Sequence, residues 1–342
     1  MAYISFEPKD YVNTKIYTGN GGDQTITGVG FTPDWVWFKS RDAGNSHAVL
    51  DIVRGTTKVL YAETTSSEQT INAQTFNSDG YDLVQDAGAN SINSNASAKV
   101  AWSWKANGVG ATNEDGSINT IKTSANTTSG FSIVKYQGTG SNATVGHGLG
   151  VAPRMIIVKS LGTNDWSVYH GSLGGTKAIF MDITSGSATH VDYWNNTNTT
   201  SSVFSIGISS NMNHSSTDMI AYCFAEKKGF SKFSSFVGNG NADGTFVYTG
   251  FKPTWVLIKR TSASGDQWQL SDSKRGFNGA IKTLYTDSAE VETSSDSIDH
   301  LSNGFKNRAT SVARNGSGSD YIYMAFAEEP LVSTNGTPAT AR

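Results

Sequence analysis

Aromatic rings set among short polar residues are the side chains of this sequence best suited to recognition. Trp166 and Tyr169 lie in the run from Thr163 to Tyr169, Trp268 lies between Gly265 and Gln269, and Trp194 is flanked by Tyr193 and Asn195. An indole or phenol ring has an apolar face and a polar edge, which suits it to stack on a sugar ring and equally to seal a protein contact. Trp166, Tyr169, Trp194 and Trp268 are therefore the candidate glycan contacts. Cover of a sheet edge or an intersubunit contact is the alternative use of the same rings.

The remaining chemistry-bearing residues point away from catalysis. A glycosidase needs two carboxylates held about 5–10 Å apart across a cleft; Glu328 and Glu329 are adjacent and face opposite sides of a strand end. Glu63, Asp182 and Asp287 recur at one place in three similar stretches, which suggests a shared edge or loop contact. Asp51 with Arg54 and Asp272 with Arg275 read as local ion pairs or turn caps, replaced in the middle stretch by His170 and Leu173. The six histidines, His47, His147, His170, His190, His214 and His300, lack metalloprotease or zinc-cluster spacing. Asp79, Asp115 and Asp243 adjoin glycines, as turn residues do, without the run of alternating oxygen ligands that calcium takes. Gly19-x-Gly21 lacks the third glycine and the following helix of a dinucleotide site. No catalytic set, metal or cofactor is expected, and Cys223, the one cysteine, reads as a small buried filler.

The elements that position these residues come in threes. A glycine leads into a turn and strand at Phe31 to Lys39, again at Val151 to Lys159, and again at Phe251 to Lys259. Upstream stands an aromatic-x-Gly-x-Gly signal at Tyr17, Tyr136 and Phe236, and each stretch closes on a bulky alternation: Trp102 and Trp104, Tyr222 and Phe224, Met324 and Phe326. The large residues of that closing strand are expected to fill a sandwich core, and their small neighbours to allow close cover. The strand after the shared proline is apolar on both faces, so its outer face needs cover from a neighbouring stretch, a long loop or another copy of the chain.

Composition fixes the class. The chain has 342 residues, 16% of them charged, and is rich in Gly, Ser, Thr and Asn, which favours an all-β protein with many loops. The expected architecture is three tandem antiparallel β-sandwich (jelly-roll-like) units: residues 1–108 with an N-terminal attachment segment, 109–229 with a linker, and 230–342 with a short tail. Gly108 to Gly130 reads as the linker, contributing one extended strand near Ile118 to Lys122, so the second and third units should be the more rigid pair. The tail from Leu331 is expected to be disordered unless a partner holds it. A net charge of -3 supplies no basic field for nucleic acid. No apolar run approaches a membrane span, and the start lacks the features of a signal peptide.

Several phrases together carry a resemblance. Tyr17-Thr-Gly-Asn-Gly21, Asp51 to Gly55, Trp102-Ser-Trp-Lys-Ala-Asn-Gly108, His147-Gly-Leu-Gly150, Tyr222-Cys-Phe-Ala-Glu226 and Met324 to Pro330 resemble a family of repeat proteins of tailed bacteriophages, marine ones in particular. The resemblance spans nearly the whole chain and implies a virion structural protein: a tail fibre or appendage, or a capsid-surface component. It implies no catalytic residues. The expectations that follow are a non-enzymatic role in assembly and host contact, self-association as a trimer, and attachment to other virion proteins through the N-terminal segment. The protein would be made in the host cytoplasm and placed on the virion. A carbohydrate-binding, lectin-like receptor-recognition module is the alternative, and a polysaccharide depolymerase the second.

Overall fold

The computed structural model describes residues 4–84, 90–276, 278–294, 297–327 and 332. Glu328, Glu329, the first three residues and the tail, apart from Val332, lie outside the described residues. The fold is nearly all β, 42% strand and 5% helix, in several antiparallel sheets. The first large sheet runs in the order Val12–Thr18, Ala98–Trp104, Trp35–Ser40, Ala48–Asp51, Lys58–Tyr61, Gln69–Thr70. A second repeats that order from Phe131–Gln137 and Asp218–Phe224 to Ala188–Thr189, and a third from Ser231–Val237 and Asp320–Ala327 to Thr293–Ser294. A small sheet accompanies each large one. Gln24–Ile26 belongs to the first, Ala143–Gly146 with Val203–Ile206 makes the second, and Phe246–Tyr248 belongs to the third.

The strand after the shared proline shows why both faces are apolar. Trp35–Ser40 is buried at every position, and its side chains alternate between two cores. Trp35 and Trp37 enter a central cluster to which all three large sheets contribute, whereas Val36 and Phe38 enter a local cluster against the small sheet. Met155 and Ile157 against Ile156 and Val158 divide in the same way, as do Trp255 and Leu257 against Val256 and Ile258. Of the three covers expected for the outer face, the neighbouring stretch of the same chain supplies it. The closing strands invert one expectation: the bulky Trp102, Trp104, Tyr222, Phe224, Met324 and Phe326 fill the central cluster, not the local cores. The smaller Ala101, Ala221, Cys223 and Ala325 face the small sheets. Rings meet across the centre, with Trp35 stacked on Tyr222 at 4.8 Å and Trp104 edge-on to Trp255 at 5.6 Å.

The stretch between the first two sheets is more ordered than a linker. Its strand is Lys122–Asn126, slightly beyond the expected place, and it adds an edge to the second large sheet. Ile118 makes a parallel bridge to Val145. Asp34 accepts backbone N–H bonds from Ala106 at 2.7 Å and Gly108 at 3.1 Å, which fixes the exit from the first sheet. All three large sheets contribute to one central core.

Candidate functional site

The recurring polar side chains converge where one large sheet meets the next. Trp166 donates its indole N–H to the carbonyl of Tyr61 at 3.0 Å, and Trp268 donates to the carbonyl of Phe180 at 2.7 Å. His47, at the equivalent place, has Nδ1 occupied as acceptor for Trp37 at 2.9 Å, so Nε2 carries the hydrogen and donates to the carbonyl of Tyr285 at 2.9 Å. Second segment to first, third to second and first to third, these three bonds close a ring. Backbone bonds follow the same circuit, from Glu68 to Leu161, Ser187 to Thr261 and Glu292 to Arg41.

Behind each ring stands a buried carboxylate and a buried lysine. Glu63, Asp182 and Asp287 accept the backbone N–H of His47, Trp166 and Trp268 at 2.9, 3.0 and 3.2 Å. The shared contact expected of these three carboxylates is thus to the backbone of the junction residue. Burial raises all three carboxyl pKa values, Asp182 and Asp287 to about 6. Lys39, Lys159 and Lys259 have no exposed surface, and burial pulls each ammonium down to about 8 against the attraction of those carboxylates. Backbone carbonyls receive the ammonium groups: Ala289 that of Lys39 at 2.9 Å, Ser160 and Gly162 that of Lys159 at 2.8 Å, and Asp266 that of Lys259. Each ammonium thus meets backbone carbonyl oxygen and makes no direct ion pair among the described residues.

Asp51 and Asp272 serve both roles expected of them and a third. Each accepts the backbone N–H three residues on, at 2.8 and 3.0 Å, and each pairs with its arginine, Arg54 or Arg275, with both side chains fully enclosed. Each also accepts a donor from the next segment: Tyr222 Oη reaches Asp51 at 2.8 Å, and Trp102 Nε1 reaches Asp272 at 2.9 Å. The equivalent donor position facing the middle segment is Met324, which has no N–H or O–H to give. An aspartate there would have no such donor; His170 stands in its place and contacts the carbonyl of Tyr323 at 3.2 Å. Partner and acceptor have changed together.

The structure encloses the four candidate glycan rings. Trp166 is 0%, Trp268 1%, Trp194 1% and Tyr169 3% exposed. Tyr169 and Trp194 meet edge to face at 5.4 Å inside the second local core. Their faces are occupied by protein and leave none for a sugar, so the glycan assignment is corrected: Trp166 and Trp268 close segment junctions, the alternative use of such rings. The polar neighbours that made them look exposed are themselves turned into hydrogen bonds. Sequence reasoning passed over Phe246 and Tyr248, which are 45% and 60% exposed on an edge strand; the signal was the alternation Phe246-Val247-Tyr248 between two glycines.

The other motifs have structural partners. The first glycine of each aromatic-x-Gly-x-Gly phrase packs so closely on the backbone near Asn93, Asn213 or Asn315 that an added Cβ would lie 2.3–2.4 Å from a carbonyl oxygen. Those asparagines are wrapped by the phrase, as when Asn213 accepts the N–H of Thr139 at 2.8 Å and donates to Ser141 at 2.7 Å. Asp79 accepts Gly28 and Gly30 N–H bonds in a turn, and Cys223 is buried with its thiol pKa pushed up by burial. Among the described residues no group of three or more His, Cys, Asp or Glu is placed to hold a metal ion.

Two of the concavities bear on ligand binding. One, of about 470 Å³, lies along the seam between the second and third segments and is lined by Leu173, Lys177, Ser187, Ser235 and Asp320 among others. Its origin is legible by position: Leu173 replaces Arg54 and Arg275, Ser187 replaces Glu68 and Glu292, and Ser235 replaces Lys135. Shortening these side chains opens a seam that an Arg–Glu pair fills at each of the other two junctions. The second concavity, of about 360 Å³, lies within the third segment beside Arg314.

No helix among the described residues is long and apolar enough to cross a membrane. No curated protein matches the chain. The family model described as a Domain of unknown function (DUF7483) matches residues 7–330, nearly the whole length, and the chain belongs to that family.

Proposed function

We propose that this chain is a non-enzymatic structural protein of a tailed-bacteriophage particle, built as three copies of one β-sandwich unit joined head to tail in a ring. The observation that carries the reading is the use made of the recurring polar residues. His47, Trp166 and Trp268, with Asp51 and Asp272, spend their hydrogen-bonding capacity on the adjoining segment. A side chain committed to holding two segments together is not free to bind or convert a substrate. Placement on the particle, as appendage, fibre or capsid-surface component, rests on the phrases that resemble phage repeat proteins. Self-association as a trimer and attachment through the N-terminal segment belong to the same proposal, and both would use the outer surface, because the central apolar faces are consumed within the chain. Immunogold labelling of purified particles tests the assignment. Labelled virions are expected; protein found in infected cells and never on particles would overturn it.

Carbohydrate recognition is the second reading, supported by the seam groove and by the exposed rings of Phe246 and Tyr248. A glycan array separates the two: saturable binding abolished by Tyr248→Ala or by Leu173→Arg would favour the lectin reading, and an array without binding would favour the structural role alone.

A further inference from the structure

The third segment carries a buried polar set where the other two carry apolar or small side chains. Arg314 occupies the place of Ile92 in the first segment and Met212 in the second, one residue before the equivalent asparagines Asn93, Asn213 and Asn315. Ile92 and Met212 are fully buried members of their local cores. Arg314 is 1% exposed, and the two positions that face it have changed with it. Gln269 replaces Ala48 and Ser167, and Thr283 replaces Val59 and Ala178. Three coordinated replacements in one layer mark a built site, because an isolated buried guanidinium in an apolar layer is costly.

The arginine is only partly satisfied. Its Nε donates to Gln269 Oε1, and its Nη2 donates to Thr283 Oγ1 at 3.0 Å. Nη1 has no hydrogen-bond partner, and no carboxylate among the described residues pairs with the guanidinium. Burial lowers its pKa to about 10. His300, which feels its charge, is held down by burial at about 4 and is neutral at pH 7, so the arginine brings the positive charge. Arg314 lines the 360 Å³ concavity together with Ser297, Ser311 and Tyr285, and its unpartnered Nη1 is itself buried.

We propose that this concavity is a binding site for an oxyanion, a sulfate, phosphate or carboxylate group, received by the free Nη1 edge of Arg314 with hydroxyl groups around it. An anion there supplies a counter-charge that no carboxylate among the described residues provides, and charge-assisted bonds to a planar guanidinium are the strong ones. The volume also admits an acidic monosaccharide. The site lies within one segment and does not depend on the virion assignment.

Titration calorimetry on the full chain with sodium sulfate, inorganic phosphate, D-glucuronate and neutral D-glucose, at constant ionic strength, tests the proposal. At least one of the three anions is expected to bind and glucose to fail. Binding by glucuronate alone would identify an acidic sugar as the occupant, and binding by sulfate or phosphate alone a free inorganic anion or its ester. Arg314→Met, which installs the side chain of the second segment, should weaken binding by at least about tenfold, the loss of one charge-assisted contact. Arg314→Lys should retain part of the affinity. Because a variant can misfold, selenate soaked into crystals of the unaltered protein gives a second readout: an anomalous peak within hydrogen-bonding distance of Nη1. Absence of binding by all three anions, binding unchanged in the Met variant, or a selenate peak only elsewhere would overturn the assignment.

Discussion

Asp272 and Met324 show how one side chain dictates another across a distance in sequence. Asp272 is fully buried and accepts from Trp102, 170 residues away, so deleting that donor strips a buried charge of one of its partners. Trp102→Phe is expected to cost about 1–3 kcal/mol in denaturant unfolding. Met324→Leu, at the equivalent place with no donor to lose, should cost less than about 1.5 kcal/mol. Equal losses would mean that the aspartate bond carries no special weight. Asp182 gives a pH-dependent counterpart. Its folded pKa, raised to about 6 by burial, exceeds the ordinary 3.8, so the folded protein holds a proton that the unfolded chain releases. That contribution is fully present below pH 4 and is lost as pH rises through 6. Stability relative to Asp182→Asn should therefore fall between pH 4 and 6, on the order of 2 kcal/mol, in paired thermal or urea unfolding. A difference independent of pH would contradict the burial account.

At the scale of elements, the first and third small sheets are each seated by a glycine that tolerates no side chain, where the second carries Val203. A Cβ on Gly304 would lie 2.1 Å from the carbonyl oxygen of Val247, and one on Gly80 would lie 2.0 Å from that of Ile26. Gly304→Ala should unpair Phe246–Tyr248 from Gly304–Asn307, cost about 2 kcal/mol or more, and raise amide exchange in those two strands before the large sheet responds. Exchange unchanged in them would count against it. Much of this level was legible in sequence. Period-two alternation located the strands, and the doubly apolar run from Trp35 to Phe38 announced that its second face needed cover. Which bulky face looked inward to the centre was not legible, because alternation gives two faces but does not say which one meets the neighbouring sheet. Trp166 and Trp268 misled for a related reason. Their sequence neighbours are polar, while the groups that bury them, including the carbonyls of Tyr61 and Phe180, come from another segment and leave no local trace.

Over the whole molecule the three segments form a closed circuit. Each junction is a head-to-tail contact, and with three of them the rotation closes instead of running on, as in cyclic oligomers. The symmetry is imperfect at two informative places: the open seam beside Leu173 and the charged layer around Arg314. Both lie where equivalent positions have changed in groups, which sets them apart from drift at single sites. One shared core and a ring of buried ties make the chain a single body. Differential scanning calorimetry of the full chain tests it most directly. One transition, with a van't Hoff enthalpy equal to the calorimetric enthalpy, is the predicted result; two or three resolved transitions, each of the size of one segment, would contradict it.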